Sequence, residues 1–284
     1  MSSVSAQQKT LSEAEFKKIA AYIEKNVGIK MPPEKRMMMQ SRLASRLKAL
    51  HLDSYKAYID YVFSGKDADN HELIMMIDAM TTNLTEFFRE PQHFDYMRSA
   101  ALPGYAAQKL NKIKIWSAGC STGQEPYTLS MVMSEYIKQN PLGSIRDFSV
   151  LATDISTKVL DKAASAVYPM DAVKGVPQQI MHQYFLRGKN PANPVVRLKQ
   201  DIRSHVNFMR LNFMDEEYGF RDTFQIIFCR NVLIYFDKAN QEKVIRQFLR
   251  YLEPNGYLFL GHSETIFGMD LPFKTVAPTV FQRI

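Results

Sequence analysis

Residues 113–131 read IKIWSAGCSTGQEPYTLSM, and they hold a combination that could bind a ligand. Ser117, Ala118, Gly119, Ser121, Thr122 and Gly123 are small enough to let the backbone turn tightly and a ligand approach it closely. A carboxylate, Glu125, follows, and then Pro126, which suits the first turn of a helix running on through 127–136. The apolar run 113–116 suits a buried strand. The pattern is neither G-x-G-x-x-G nor a phosphate-cradling loop with Gly-Lys-Ser/Thr. A phosphate at this helix start would compete with Glu125, so a ligand with a cationic end fits better. On these residues alone, an ordinary tight strand-to-helix connection is equally open.

The elements that must position such a loop can be read from the pattern beyond it. After about residue 112 strands and helices alternate: FSVLATDI, then TKVLDKAASAVY behind the N-cap candidate Ser156; FQIIFCRN, then KANQEKVIRQFLRYL; GYLFLGHSE after the turn at 253–256; and TVFQRI as a last strand. This predicts an α/β fold, a doubly wound and mostly parallel sheet with helices on both faces. Residues 168–207 interrupt the rhythm. A short helix, YFLRG, a Lys-Asn-Pro-Ala-Asn-Pro turn and VVRLK predict a small antiparallel β insertion. The first ninety residues predict helices only, opened by capping-box spacing between Ser12 and Glu15. The domains expected are thus 1–90, an N-terminal all-helical domain with linker, and 91–284, the sheet domain with its insertion.

In such a sheet ligands bind beyond the carboxyl ends of the strands. Those ends carry Ala118 and Gly119, Asp154, Asn212, and Arg230 with Asn231. An acidic residue ending the second strand, as Asp154 does, suits ribose hydroxyls and repels a 2′-phosphate; its alternative is to cap the next helix. Asp154 and Glu125 together favour a phosphate-free nucleoside with a cationic end. S-adenosylmethionine meets that description.

Composition narrows the class. The chain has 284 residues, 46% hydrophobic and 23% charged, an ordinary globular balance. No apolar run of about 18 residues predicts a membrane span, and MSSVSAQQKTLSEAEF has no apolar signal core. Cys120 and Cys229 are expected as reduced thiols, and the chain as cytoplasmic. The net charge of +7 concentrates in two clusters, 30–48 and 174–210. On the helix after Pro33, Lys35, Arg42 and Arg46 fall near one line beside the apolar stripe Leu43, Leu47 and Leu50, so the arginines are expected on display. Nucleic acid, an acidic protein surface and a merely solvated face are all compatible with such clusters. No His, Cys and Asp set has metal-ligand spacing, so no metal is expected.

The segments TTNLTEFFRE, WSAGCSTGQEPY, ATDI, IFCRNVLIYFD and GHSE resemble, in order and spacing, the motif set of the CheR-type chemotaxis receptor protein-glutamate O-methyltransferases. The helical amino-terminal domain and the insertion match as well. One departure is Gln124, where members commonly carry Glu; Glu125 is retained. The resemblance implies the S-adenosylmethionine-dependent methyltransferase fold, with Asn83, Thr85 and Arg89 over the cofactor. Glu125, Asp154, Asn212, Phe213, Arg230 and Asn231 complete its site. Under this reading Arg89 takes the methionyl carboxylate, Glu125 the ammonium, Asp154 the ribose, and Asn212 and Phe213 the adenine. An ion pair of Arg89 with Glu86 or Glu90 is the structural alternative. Tyr235 becomes an active-site hydroxyl beside the methyl group rather than a core tyrosine, and Arg89 and Tyr235 are the catalytic candidates. The implied product is S-adenosylhomocysteine, and the implied partners are methyl-accepting chemotaxis receptors. Their cytoplasmic methylation helices would dock on Lys35, Arg42 and Arg46; in some members a carboxyl-terminal tail tethers to the insertion. A monomer without nucleic acid or membrane insertion is expected. A nucleic-acid amino-methyltransferase would carry an Asn/Asp-Pro-Pro-Tyr/Phe motif where this chain has CRNVLIYF. A cofactor-binding module without catalysis is the other alternative.

Overall fold

The computed structural model describes residues 10–65 and 70–284. The stretch read for a signal core begins in residues 1–9, outside them.

Four helices come first: α1 (Glu13–Val27), α2 (Arg36–Ala49), α3 (Tyr55–Val62) and α4 (His71–Met80). The expected capping box opens α1: Ser12 accepts from the Glu15 N–H, and Glu15 reaches back to the Ser12 N–H. Such a cap stabilises a helix by about 1 kcal/mol. Gly28, at φ 78°, closes it in the left-handed conformation. Ile19, Ile23, Met39, Leu43 and Tyr58 are fully buried in this domain's own core.

The sheet domain comes next, as α5 (Pro91–Tyr96), α6 (Leu102–Ala107), β1 (Lys112–Ala118), α7 (Gln124–Gln139), β2 (Asp147–Asp154), α8 (Thr157–Ser165), β3 (Val167–Pro169), α9 (Gln178–Tyr184), β4 (Phe185–Arg187), β5 (Val195–Leu198), α10 (Gln200–Arg203), β6 (Val206–Arg210), β7 (Phe224–Cys229), α11 (Lys238–Tyr251), β8 (Leu252–Leu260), β9 (Phe273–Ala277) and β10 (Val280–Arg283). Strand order is β6-β2-β1-β7-β8-β10-β9. The first five are parallel, and β10 pairs antiparallel with both β8 and β9. The chain reverses its direction of sheet growth between β1 and β7, which puts a crevice at their carboxyl ends. Alternate residues feed two cores: Ile113, Ile115, Ile226 and Phe228 face one, Trp116, Ala118, Ile227 and Cys229 the other. Trp116 is fully buried, and its indole N–H donates to Thr153 Oγ1 at 2.9 Å, so no polar atom is stranded there.

The insertion is a separate three-stranded antiparallel sheet, β3-β5-β4. It claims Val167 and Tyr168, which the sequence reading assigned to the preceding helix; Ala166, in the left-handed conformation at φ 53°, ends α8 before them. The turn expected at 253–256 lies inside β8 as an irregularity, with Asn255 at φ 60° and a register shift opposite β7. The short helices α5 and α6 and the strand β9 had no counterpart in the sequence reading.

Candidate functional site

Four strand ends and one linker meet in the crevice. After β1, Gly119 at φ 81° and Gly123 at φ 93° turn the chain into α7. A Cβ on Gly119 would lie 2.4 Å from Val232 Cγ2, so the loop can pass over β7 only as glycine. The Gly119 and Cys120 N–H groups both donate to the Thr153 carbonyl, locking the loop onto β2. Asp154, 8% exposed, then accepts from Ser121 N–H (2.8 Å) on one oxygen and from Ser156 N–H (3.0 Å) on the other. The N-cap of α8 is Ser156 itself. Each Asp154 oxygen keeps a lone pair for a ligand. Burial raises its pKa, with the two backbone donors opposing the rise.

Glu125 and Arg230 form a buried pair at 2.7 Å, and Ser117 Oγ donates to the other Glu125 oxygen at 2.7 Å. Arg230 also donates to the Arg89 carbonyl at 2.7 Å and lies over the rings of Phe94 and Phe228. Asn231 comes next in the left-handed conformation at φ 59°, and its side-chain oxygen is buried with no hydrogen-bond partner. The linker residue Asn83 is bound through its carbonyl to Ser121 Oγ at 2.8 Å.

The result is a cleft of about 890 Å³ including its open mouth. Asn83, Thr85, Arg89, Gly119, Glu125 and Asp154 line it, as do Asn212, Phe213, Arg230, Asn231 and Tyr235. Of the expected cofactor residues only Ala118 is absent from the wall; it is buried in the core beneath. Gln124, the departure from the family pattern, also lies off the cleft and accepts from Thr122 Oγ1 at 2.7 Å.

The Asn212 amide is partly engaged: Nδ2 donates to the Asn26 carbonyl at 2.7 Å, and Oδ1 accepts from Met214 N–H at 3.1 Å, which leaves one N–H and one lone pair for a ligand. Asn212 thereby also ties the end of α1 to the cleft, whose wall includes Val27 and Ile29. One expectation needs correction: Arg42 and Arg46 do not stand on display. Arg42 donates to the carbonyls of Ala79, Met80 and Thr81, satisfying the last turn of α4. Arg46 forms a two-pronged pair with Glu72, which is 2% exposed. Lys35, half-buried, donates to the Lys30 carbonyl at 2.7 Å, and burial lowers its pKa. Helical periodicity placed these cations beside the apolar stripe without showing that α4 packs against them.

Arg89 forms no ion pair with Glu86 or Glu90 among the described residues; it donates to the Leu84 carbonyl at 3.3 Å from the cleft wall. Tyr235 accepts through its carbonyl from Lys30 N–H, while its hydroxyl has no protein partner among the described residues. Sequence reasoning missed Ser121 as the bridge to the linker, although it stands in the small-residue run. It also missed Glu90, whose Oε1 accepts from Asn231 Nδ2 at 3.3 Å. Glu90, His93 and His262 bring one ligand atom each within 4.8 Å of one another. Arg230 already occupies that cluster, 3.3 Å from His93 Nδ1 and 3.6 Å from Glu90 Oε2, and a dication would have to share the space with a guanidinium. Burial, and then Arg230, push the His93 pKa down to about 4, so its imidazole is neutral and orients Arg230. Both cysteines are free and buried, and burial pushes their pKa values up, which leaves inert thiols.

Residues 83–281 match the family described as CheR methyltransferase, SAM binding domain, and residues 14–81 the CheR methyltransferase, all-alpha domain. The chemotaxis protein methyltransferase of Salmonella typhimurium is 36% identical over 275 residues, covering 97% of this chain and 92% of that one. Its counterpart in Borreliella burgdorferi is 37% identical over 277 residues, with 96% and 95% covered. That of Escherichia coli is 35% identical over 271 residues, with 95% and 91% covered.

Proposed function

The chain belongs to the CheR methyltransferase family, and from that premise we propose one partner on the cofactor for each free group of the cleft. The enzyme transfers a methyl group from S-adenosylmethionine to glutamate side-chain carboxylates of chemotaxis receptors, giving glutamyl methyl esters and S-adenosylhomocysteine. When bound, S-adenosylmethionine supplies a methyl group made electrophilic by its sulfonium. A glutamate carboxylate, with a free pKa of about 4.3, is ionised at neutral pH and needs no general base. The protein's task is orientation and the exclusion of water.

The observation that carries the fit is the buried, unpartnered oxygen of Asn231 in a wall that also presents Glu125 and Asp154. A stranded acceptor beside two carboxylates calls for N–H and O–H donors and a positive charge. In this reading Asn231 and Glu125 meet the methionyl ammonium, Asp154 holds the ribose hydroxyls, and Arg89 takes the methionyl carboxylate. Arg230 neutralises Glu125 from behind and fixes its direction. Phe213, held edge-on by Trp116 and Phe248, lies against the adenine. Asn83 and Thr85 close the linker over the site, and the Tyr235 hydroxyl orients the incoming carboxylate. Calorimetric titration of Asp154→Ala with S-adenosylhomocysteine tests the assignment: a loss of about 1–3 kcal/mol is expected, and unchanged affinity in a folded variant would contradict it.

We read the helical domain, 1–90, as the face for receptor methylation helices and 91–284 as the catalytic domain. Arg42 and Arg46 are committed to the fold, so the exposed cations of the 30–48 cluster are Lys30, Arg36 and Lys48. For receptors with a carboxyl-terminal tail, the outer edge of β4 is the proposed tether site. The prolines of the hairpin, Pro191 and Pro194, lie in the loop between β4 and β5, so that edge is not blocked. Arg187 and Arg197 are exposed there, whereas Lys199 donates to the Gln183 carbonyl at 2.6 Å. No helix of the described residues is long and apolar enough to cross a membrane. A cytoplasmic monomer acting on the cytoplasmic part of its receptors completes the reading.

A further inference from the structure

We infer that Glu264 is a positioning residue for methyl transfer: its buried carboxylate sets the turn that presents Asn231 and Tyr235 to the cleft. The proposal rests on the reading of those two residues given above. Glu264 is 5% exposed and has no ion-pair partner among the described residues. Its charge is answered by backbone alone. One oxygen accepts from Val232 N–H (2.8 Å) and Leu233 N–H (2.7 Å), with Ile234 N–H at 3.4 Å. The other accepts from Asn231 N–H (2.9 Å) and Gly261 N–H (2.6 Å). Four consecutive amides after β7 therefore converge on one carboxylate, as in an anion-binding backbone nest.

The partner segment is built for this. A hydrogen bond from Glu264 N–H to the Gly261 carbonyl at 2.9 Å closes a turn, which returns Glu264 beneath the end of β7. A Cβ on Gly261 would lie 2.6 Å from Asn231 Nδ2, 2.8 Å from Asn231 N and 2.8 Å from Glu264 Oε2. Only glycine allows the two segments this close. The β7–β8 ladder ends at the Cys229–Leu260 pair, so ordinary strand pairing does not hold residues 230–235. Beyond that pair, Asn231 adopts φ 59°, and Tyr235 ends the 3₁₀ turn at Leu233–Tyr235. The carboxylate fixes both side chains without touching either.

The test uses the full-length enzyme. Glu264→Gln keeps the volume, but its amide must turn one NH₂ toward backbone N–H groups whichever way it flips. A misplacement of about 1 Å costs on the order of a hundredfold in turnover. Glu264→Gln is therefore expected to lower kcat by about that factor in molecules that fold normally. Glu264→Asp, which retains both acceptors one methylene shorter, is expected to recover part of the loss. Because Glu264 acts through Tyr235, adding Tyr235→Phe to Glu264→Gln should lower kcat little further, where independent effects would multiply. S-adenosylhomocysteine affinity should fall about as much in Glu264→Gln as in Asn231→Ala. Hydrogen exchange should quicken at the amides of Val232 and Leu233. Wild-type turnover per folded Glu264→Gln molecule, or losses that multiply, would overturn the proposal. Should Tyr235→Phe alone keep full turnover, the reading of that hydroxyl falls. Glu264 is then decided by cofactor affinity: a loss matching Asn231→Ala supports it and unchanged affinity sinks it. Should Glu264→Gln not fold, the same kcat and affinity comparisons pass to Glu264→Asp, and wild-type values there overturn the proposal.

Discussion

Arg46 looks from the sequence like a receptor-docking cation and in the structure like a rivet between α2 and α4. The two roles predict opposite stability effects. Its guanidinium gives Glu72 two charge-assisted bonds, at 2.9 and 2.6 Å, and Tyr58 adds its hydroxyl at 2.9 Å. Glu72 is 2% exposed and the Arg46 side chain 19% exposed. Breaking a buried pair from one side costs about 3–5 kcal/mol; the residual exposure of Arg46 puts Arg46→Ala near the lower end, about 3 kcal/mol. Charge reversal to Glu should cost more, since it sets a second carboxylate beside a buried one. The double variant Arg46→Met/Glu72→Met removes both charges and is expected to lose only about 1 kcal/mol, from the Tyr58 hydroxyl left without its acceptor. Urea unfolding followed by circular dichroism measures all three. A loss under about 1 kcal/mol for Arg46→Ala, with no recovery in the double variant, would refute the reasoning. The double variant then gives the clean docking assay: unchanged receptor methylation means docking does not use this side chain.

Three further outcomes are expected. Asp154→Asn must turn its NH₂ toward the N–H of Ser121 or of Ser156, so the variant should melt lower than wild type and bind S-adenosylhomocysteine more weakly; unchanged melting and binding would contradict this. Ribose hydroxyls favour the ionised form and burial raises the Asp154 pKa above the ordinary 3.8, so wild-type affinity should also fall on acidification through that raised pKa, and Asp154→Asn should lack that fall. Tyr235→Phe should lower kcat and leave cofactor affinity nearly intact; full turnover would return Tyr235 to the core. His93 resists protonation down to about pH 4 in the folded state, whereas the unfolded chain protonates near 6.5. Folding stability should therefore drop as pH falls between those values, by about 3 kcal/mol in total, and His93→Gln should flatten that slope in thermal melts.

The alternating strands and helices were legible because parallel strands buried on both faces read as apolar runs, and the strand ends named most of the cleft. Asp154, Glu125, Arg230 and Asn231 could be picked from position alone, since the sheet's topology dictates where a ligand sits. What stayed hidden was pairwise. Periodicity aligns Arg42 with Arg46 but says nothing of α4, whose terminal carbonyls and Glu72 absorb them. Asn212 was chosen for its amide, and only the fold shows that Asn26 and Met214 use part of it. Glu90 and His93 lie one turn apart, but His262 is distant in sequence and joins them only around Arg230. The strand β9 was missed because Phe273–Ala277 borders the sheet's edge and carries exposed Lys274 and Thr275, with no buried alternation to betray it.

One assay tests the chemistry of the cleft most directly. The purified protein is incubated with methyl-labelled S-adenosylmethionine and receptor-containing membranes, and the label is followed through mild base. Label on the receptor, released as methanol by base and nearly absent with Asp154→Ala, is the result expected of a glutamyl methyl ester made in this cleft. Base-stable label, or label on nucleic acid, would contradict it.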